Sequence, residues 1–142
     1  MRAIFNVASA AVLLAAGMLV STTPAAASTP HSTESATWTM VDADQHVCGR
    51  PSYGKPNTYV LAGVYGEWPR LNTGVRNLPA GSSSSGGIIE AGSTEGSDTT
   101  LGMVQLSLGP APAGVYIAEV WASDGTVTQA VPLTITYRED CN

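Results

Sequence analysis

Alternation of apolar and polar residues is the clearest pattern in the chain, and it is strongest in the last third. Over Thr126–Tyr137, with one interruption at Gln129, every second residue is apolar: Val127, Val131, Leu133, Ile135 and Tyr137. A period of two places these residues on one face of a half-buried strand. Pro132 lies on the other face and has no N–H to donate, so we expect an edge strand or a bulge there.

A second strand is predicted immediately before this one. Gly114–Ser123 has apolar residues on both faces, which is typical of a strand in the middle of a sheet. Asp124-Gly125 separates the two strands, and this dipeptide favours a two-residue turn with positive φ. The sequence therefore predicts an antiparallel hairpin.

Shorter segments extend the pattern toward the N-terminus. The predicted strands are Leu101–Leu108, Tyr59–Tyr65 and Ala36–Asp42, with weaker candidates at Leu71–Leu78 and Ile88–Glu90. Glycine and proline are spread along the chain, which disfavours helices. About seven short strands predict an all-β antiparallel sandwich or a small barrel. Pro79–Gly87 and Ala91–Thr100 are rich in Ser and Gly and are predicted to be loops, with only Ile88-Ile89 between them to anchor the segment in the core. Loops of this length are often functional or disordered.

The first 27 residues have the organisation of a secretory signal peptide. Arg2 precedes an apolar run over Val7–Val20, and small residues follow up to Ala27. We predict a signal helix within residues 1–27, a flexible leader over residues 28–35 and a β-sandwich domain over residues 36–142. The product is expected to be secreted and extracellular.

Composition excludes several kinds of partner. The 142 residues include 6 basic and 11 acidic ones, and loss of Arg2 with the signal peptide would take the net charge from −5 to −6. An acidic domain with one lysine is a poor binder of nucleic acids or anionic membranes. No second apolar stretch reaches the roughly 18–20 residues of a membrane-spanning helix. We predict a monomer with no nucleic-acid partner and, after signal cleavage, no membrane partner.

The two cysteines allow one pairing within the chain. Export leads to an oxidising compartment, where an even number of cysteines indicates a disulfide. We therefore predict a bond between Cys48 and Cys141. It would close a loop of about 93 residues, which the chain-entropy relation values at roughly 4–5 kcal/mol.

Part of the chain resembles a known class of domains. The runs Pro112–Val120, Ser123–Thr126 and Val131–Ile135 resemble the last two strands of bacterial immunoglobulin-like and fibronectin-type-III-like domains. The resemblance implies an immunoglobulin-like sandwich in which Tyr116 forms the tyrosine corner of the penultimate strand. Through Gly74–Pro79 and Trp121–Thr126, the chain is also similar to small secreted actinobacterial proteins of unassigned function, which implies export and this fold but no chemistry.

Residues suited to catalysis are sparse. His46 is the only plausible general base, and no Gly-x-Ser-x-Gly nucleophile elbow accompanies it. Glu119 lies in the strand predicted to be central, where it would need Arg76 or Arg138 as a partner unless it points outward. Weak calcium candidates are scattered carboxylates at Asp42, Asp44, Glu90, Glu95 and Asp98. We predict no enzymatic activity, no cofactor and no metal site.

Aromatic residues are the strongest indication of binding. Four ligand-contact candidates lie in Tyr65–Arg70, which we expect to be a loop: Tyr65, Glu67, Trp68 and Arg70. Exposed Trp and Tyr can stack on sugar rings or anchor an interface; the alternative is that Trp68 caps the core. The remaining large aromatics assigned to the core or its edge are Trp38, Trp121, Tyr116 and Tyr137. We predict a non-enzymatic binding domain for an extracellular polysaccharide, the cell wall or an exported protein. The alternative function is an extracellular enzyme inhibitor that presents residues 79–100.

Overall fold

The protein consists of β-strands packed in two sheets. The computed structural model describes residues 35–96 and 98–141, so the predicted signal peptide and nearly all of the predicted leader lie outside the described residues. The strands are β1 (Trp38–Val41), β2 (Gln45–Gly49), β3 (Lys55–Trp68), β4 (Leu71–Arg76), β5 (Ser83–Ser85), β6 (Gly87–Ile89), β7 (Gly92–Ser93), β8 (Thr100–Leu108), β9 (Gly114–Ser123) and β10 (Thr128–Tyr137). The predicted all-β sandwich is confirmed. Over the described ranges the chain forms no helix, and thus none long and apolar enough to cross a membrane.

Each sheet combines strands from both halves of the sequence. The first sheet has the order β1-β3-β8-β5, with β7 paired to the end of β3. The second has the order β2-β10-β9-β4-β6. Neighbouring strands are antiparallel except β2 and β10, which run parallel. The β9–β10 hairpin is confirmed, and β9 lies between β10 and β4 as its two apolar faces predicted.

The core lies between the sheets and follows the predicted alternation. In β8 and β10 the inward residues are Val104, Leu106, Leu108, Val131, Leu133, Ile135 and Tyr137, all buried. In β3 the inward set is Val60, Ala62 and Val64, and β1 contributes Trp38 and Met40. Pro132 faces outward. The pairing of β2 with β10 begins one residue later, at Leu133, so the missing N–H of Pro132 does not remove a hydrogen bond from that pairing.

The turn between β9 and β10 is longer than predicted. Thr128 pairs with Ser123, so residues 124–127 form a four-residue connection and the predicted two-residue turn is wrong. Asp124 explains the difference: its Oδ1 accepts hydrogen bonds from the N–H groups of Thr126 (2.8 Å) and Val127 (2.7 Å). This side-chain bonding and a backbone hydrogen bond from the Asp124 N–H to the Val127 carbonyl (3.2 Å) together close the four-residue turn, in which Gly125 alone has positive φ.

Short strands interrupt the two predicted loops: β5 lies within Pro79–Gly87 and β7 within Ala91–Thr100. The strand predicted at Ile88–Glu90 is confirmed as β6, one residue earlier. β5 pairs with β8, β6 with β4 and β7 with β3, so the segment 79–100 is attached to both sheets at several points. β2 was not predicted at all. It brings Cys48 to the sheet edge, where it forms the predicted disulfide with Cys141, and the two Cα atoms are 5.6 Å apart.

Candidate functional site

The four predicted ligand contacts do not form one surface. Tyr65, Glu67 and Trp68 all belong to β3, so the expectation of a loop over Tyr65–Arg70 is wrong except at Pro69-Arg70. Because side chains alternate along a strand, Tyr65 and Glu67 point outward while Trp68 points into the core. Arg70 lies in the turn to β4.

Trp68 is held inside the fold. Only 4% of the residue is exposed, and its indole N–H donates to the backbone carbonyl of Glu90 at 2.9 Å. Gly92 of β7 lies against the ring, and the Glu90 carboxylate is 3.7 Å from the Arg70 guanidinium. The alternative interpretation, that Trp68 caps the core, is confirmed, and its ring is not available for stacking on a ligand.

The outer face of the first sheet carries the largest group of exposed apolar side chains. They are Tyr59, Leu61, Tyr65, Leu101 and Met103, and Met103 is 68% exposed. Leu61 is directly opposite Met103 in the register, and Leu101 is opposite Gly63 in the next row of that face. From Tyr59 to Tyr65 the strand rises about 20 Å. Isolated exposed apolar residues are ordinary on protein surfaces, but a contiguous patch marks an interaction site.

Polar but uncharged side chains continue this surface. Gln105 is opposite Tyr59, donates from Nε2 to Asn57 Oδ1 at 3.4 Å and accepts from Ser85 at 3.5 Å. We call the whole surface the neutral face. Its outward residues are Thr39, Val41, Asn57, Tyr59, Leu61, Gly63, Tyr65, Ser83, Ser85, Leu101, Met103, Gln105 and Ser107. Lys55 and Glu67 lie at its two ends, so charge is confined to its margins.

An apolar cleft opens at the Tyr65 end of the neutral face. It has a volume of about 420 Å³ and is lined by Val41, Tyr65, Gly96 and Thr99. Gly63 lies close by, and a side chain there would contact Thr99, Leu101 and Val41. Such a recess can accommodate a projecting group of a bound partner, whereas a flat partner surface would leave it unfilled.

The residues considered for catalysis lie apart from this face. His46 Nε2 is 3.1 Å from Asp44 Oδ1, and both side chains are exposed. Glu119 points outward and its Oε2 is 2.6 Å from Nε of Arg76, which confirms the ion-paired alternative for this carboxylate. Within residues 35–96 and 98–141, no three His, Cys, Asp or Glu side chains are grouped so that they could hold a metal ion.

Trp121 is the aromatic residue whose location differs most from expectation. Trp38 and Tyr137 lie in the core and Tyr116 at its edge, as predicted. Trp121 instead lies on the outer face of the second sheet, between Gly74 of β4 and Ala130 of β10, and it is partly exposed. The apolar residues on both faces of β9 gave no indication of which ones point outward.

Comparison with known proteins adds a family but no activity. The match extends over residues 39–139, from β1 through the end of β10. The chain belongs to a family of unknown function, DUF5980. No curated protein matches it. The matched residues coincide with the limits of the sandwich, and the family itself assigns no function. The disulfide is compatible with an extracellular location.

Proposed function

We propose that this protein is a secreted, non-enzymatic binding domain whose neutral face binds an exported protein. One observation carries the proposal: the outer face of the first sheet combines exposed apolar side chains with uncharged polar ones, in a chain with 6 basic and 11 acidic residues. A surface that only faced water would have no reason to avoid charge. Depletion of charge with enrichment of Tyr and Met is typical of the centre of a protein–protein interface.

The order of the strands resembles that of immunoglobulin-like domains, which supports a role in binding rather than catalysis. When β2, β6 and β7 are set aside as additional strands, the remaining seven have the immunoglobulin-like order: first, second, fifth and fourth in one sheet, and seventh, sixth and third in the other. Tyr116 Oη donates to the carbonyl of Pro112 at 3.0 Å, as a tyrosine corner does. We infer an immunoglobulin-like domain, an architecture common among extracellular recognition proteins.

Cross-linking from Met103 tests the proposal. After signal cleavage the chain has two methionines, Met103 on the neutral face and Met40 in the core. Protein labelled with a photoreactive methionine analogue is mixed with the proteins exported by the producing cells, irradiated and analysed by mass spectrometry. We expect adducts at Met103 with a defined exported protein.

The buried methionine provides the matched control. Met103→Leu preserves the apolar surface and leaves only Met40 to carry the label, so adducts should disappear. Leu61→Asp places a charge opposite Met103 and should abolish adducts while the label remains in place. Met103 adducts no more abundant than the Met103→Leu background would contradict the proposal, and adducts only between copies of this chain would replace it with self-association.

The inhibitor alternative is favoured by one feature of the structure. Inhibitory segments are normally rigid, and β5, β6 and β7 attach the segment 79–100 to three other strands. It predicts inhibition of an extracellular protease or amylase, lost when the chain is cut at an engineered site near Ser84. Full inhibition by the cut protein would exclude this segment as the inhibitory element.

A further inference from the structure

The second sheet has an aromatic surface of its own, centred on Trp121. The indole lies over Gly74: a Cβ at residue 74 would be 2.7 Å from Cζ2 and 2.9 Å from Nε1 of the ring. These distances are shorter than any ordinary carbon contact, so only glycine lets the indole lie this close to β4. The result is a flat ring resting on the sheet, with its outer side away from the core.

The indole N–H of Trp121 differs from those of the other described tryptophans in its hydrogen bonding. The Trp38 N–H donates to Asp124 Oδ2 at 3.1 Å, the Trp68 N–H donates to the Glu90 carbonyl, and both side chains are buried. The Trp121 N–H makes no hydrogen bond with any residue the structure describes. This partly exposed N–H is therefore available to water or to a ligand.

Polar groups flank the ring on both sides. One row along the sheet is the Arg76–Glu119 pair, with Nε and Oε2 2.6 Å apart. The row on the other side contains Asn72 and Ser123. We call Trp121 with these flanking residues the indole platform. Its two charges cancel, so it offers several hydrogen-bond donors and acceptors without a net field.

We propose that the indole platform binds a neutral polysaccharide by stacking a pyranose ring on Trp121. A sugar ring has an apolar face of C–H groups that suits an aromatic surface, and hydroxyl groups around its rim that can bond with Arg76, Glu119 and Asn72. The net charge, −5 for the full sequence, is negative and disfavours an acidic polymer. This site is on the opposite sheet from the neutral face, and the inference does not depend on the proposed protein partner.

Co-sedimentation of the secreted protein with insoluble cellulose, chitin and xylan tests this inference, with pectate gel as the acidic comparison. We expect retention on at least one neutral polymer, competed by its soluble oligosaccharides. Those oligosaccharides should also change the tryptophan fluorescence, because Trp121 is partly exposed while Trp38 and Trp68 are buried. Trp121→Ala should weaken binding at least about tenfold, as expected for a central aromatic contact.

Three variants distinguish a platform from a structural role. Trp121→Tyr keeps a flat ring and should retain most of the binding. Gly74→Ala leaves Trp121 in the chain but must lift the indole, so binding should fall with little loss of stability. Ile117→Ala removes an exposed apolar side chain elsewhere on β9 and should have no effect.

Several outcomes would overturn the inference. These are retention on no neutral polymer, preference for pectate, or unchanged binding by Gly74→Ala together with Trp121→Ala. If Trp121→Ala does not fold, unchanged binding by Gly74→Ala or loss of binding by Trp121→Tyr overturns the inference. Polysaccharide retention without Met103 adducts would refute the proposed function alone. Met103 adducts without polysaccharide retention would refute this inference alone.

Discussion

Among single residues, Asp124 connects the turn between β9 and β10 to the first strand of the fold. One carboxylate oxygen closes the turn through Thr126 and Val127, and the other accepts the Trp38 indole N–H across the end of the sandwich. The hydrogen bond from the Val127 N–H is the main cause that lowers the pKa of Asp124 below its usual value; those from Trp38 and Thr126 lower it further, while partial burial opposes the shift. One side chain therefore couples β1 to the β9–β10 hairpin.

The lowered pKa predicts how stability depends on pH. The folded state binds this proton less readily than the unfolded state, so the stabilisation is complete above the unfolded pKa, about 3.9, and is lost as the pH falls through the lower folded value. Asp124→Asn should reduce the free energy of unfolding by roughly 1–2 kcal/mol at pH 6, with a smaller difference at pH 3. Urea denaturation at both pH values measures this.

A matched variant removes one charge without disturbing the turn. Glu95→Gln replaces an exposed carboxylate outside every strand, so the free energy of unfolding at pH 6 should stay within about 0.5 kcal/mol of the wild type. An Asp124→Asn variant as stable as the wild type at pH 6 would show that the negative charge of Asp124 and its hydrogen bond from Trp38 contribute nothing net.

The connection from β8 to β9 shows how an element that crosses between the sheets is fixed. Tyr137 Oη donates to the Gly109 carbonyl at 2.8 Å, and Tyr116 Oη donates to the Pro112 carbonyl at 3.0 Å. The two rings meet edge to face with centroids 5.4 Å apart. Two neighbouring tyrosines on the second sheet thus hold both ends of a proline-rich crossing that has no strand partner of its own.

Removing one of these hydroxyl groups should loosen the crossing without creating a cavity. Tyr137→Phe keeps the ring contact and loses the bond to Gly109, so we expect a decrease of about 1–2 kcal/mol in the free energy of unfolding. Tyr116→Phe should cost less, because Tyr116 is partly exposed and water can satisfy the Pro112 carbonyl. The midpoint of urea denaturation at unchanged slope measures both. A larger loss for Tyr116→Phe would contradict this ranking.

Strands were predictable where alternation continued over several residues. β8, β9 and β10 have such runs, and each was located to within two residues of its bounds. β5 and β7 are made only of Ser and Gly, whose side chains bury little apolar surface, so their pairing depends on neighbours that a local pattern does not show. β2 was missed for a similar reason: His46 and Cys48 do not contrast clearly with Val47, and its partner β10 is far away in sequence.

The candidate site was only partly predictable. The alternation of Tyr59, Leu61 and Tyr65 with Val60, Ala62 and Val64 separated two apolar faces of β3 but did not indicate which one faces the core. In the structure the smaller residues, Val60, Ala62 and Val64, face the core. The position of Trp68 was predicted wrongly because β3 continues three residues beyond the predicted limit at Tyr65. Trp68 therefore lies at the end of the strand, where it is buried, and not in a loop.

At the scale of the whole molecule, the two proposed binding surfaces lie on opposite sides of one sandwich. The neutral face belongs to β1, β3, β5 and β8, and the indole platform to β4 and β9. A partner on one surface therefore leaves the other accessible. This arrangement suits a domain that links an exported protein to a polysaccharide, and it requires both sheets to remain packed while bound.

The disulfide is the feature expected to keep them packed. It joins β2, near the start of the fold, to Cys141, just after the last strand, across a sequence separation of 93 residues. Closing a loop of that length in the unfolded chain corresponds to roughly 4–5 kcal/mol, a large share of the 5–15 kcal/mol typical of a domain.

The Cys48→Ala, Cys141→Ala double variant should unfold at a markedly lower urea concentration than the oxidised wild type. Dithiothreitol should lower the wild type to the same midpoint and leave the double variant unchanged. A double variant within about 1 kcal/mol of the oxidised protein would mean that packing alone holds the two chain ends together.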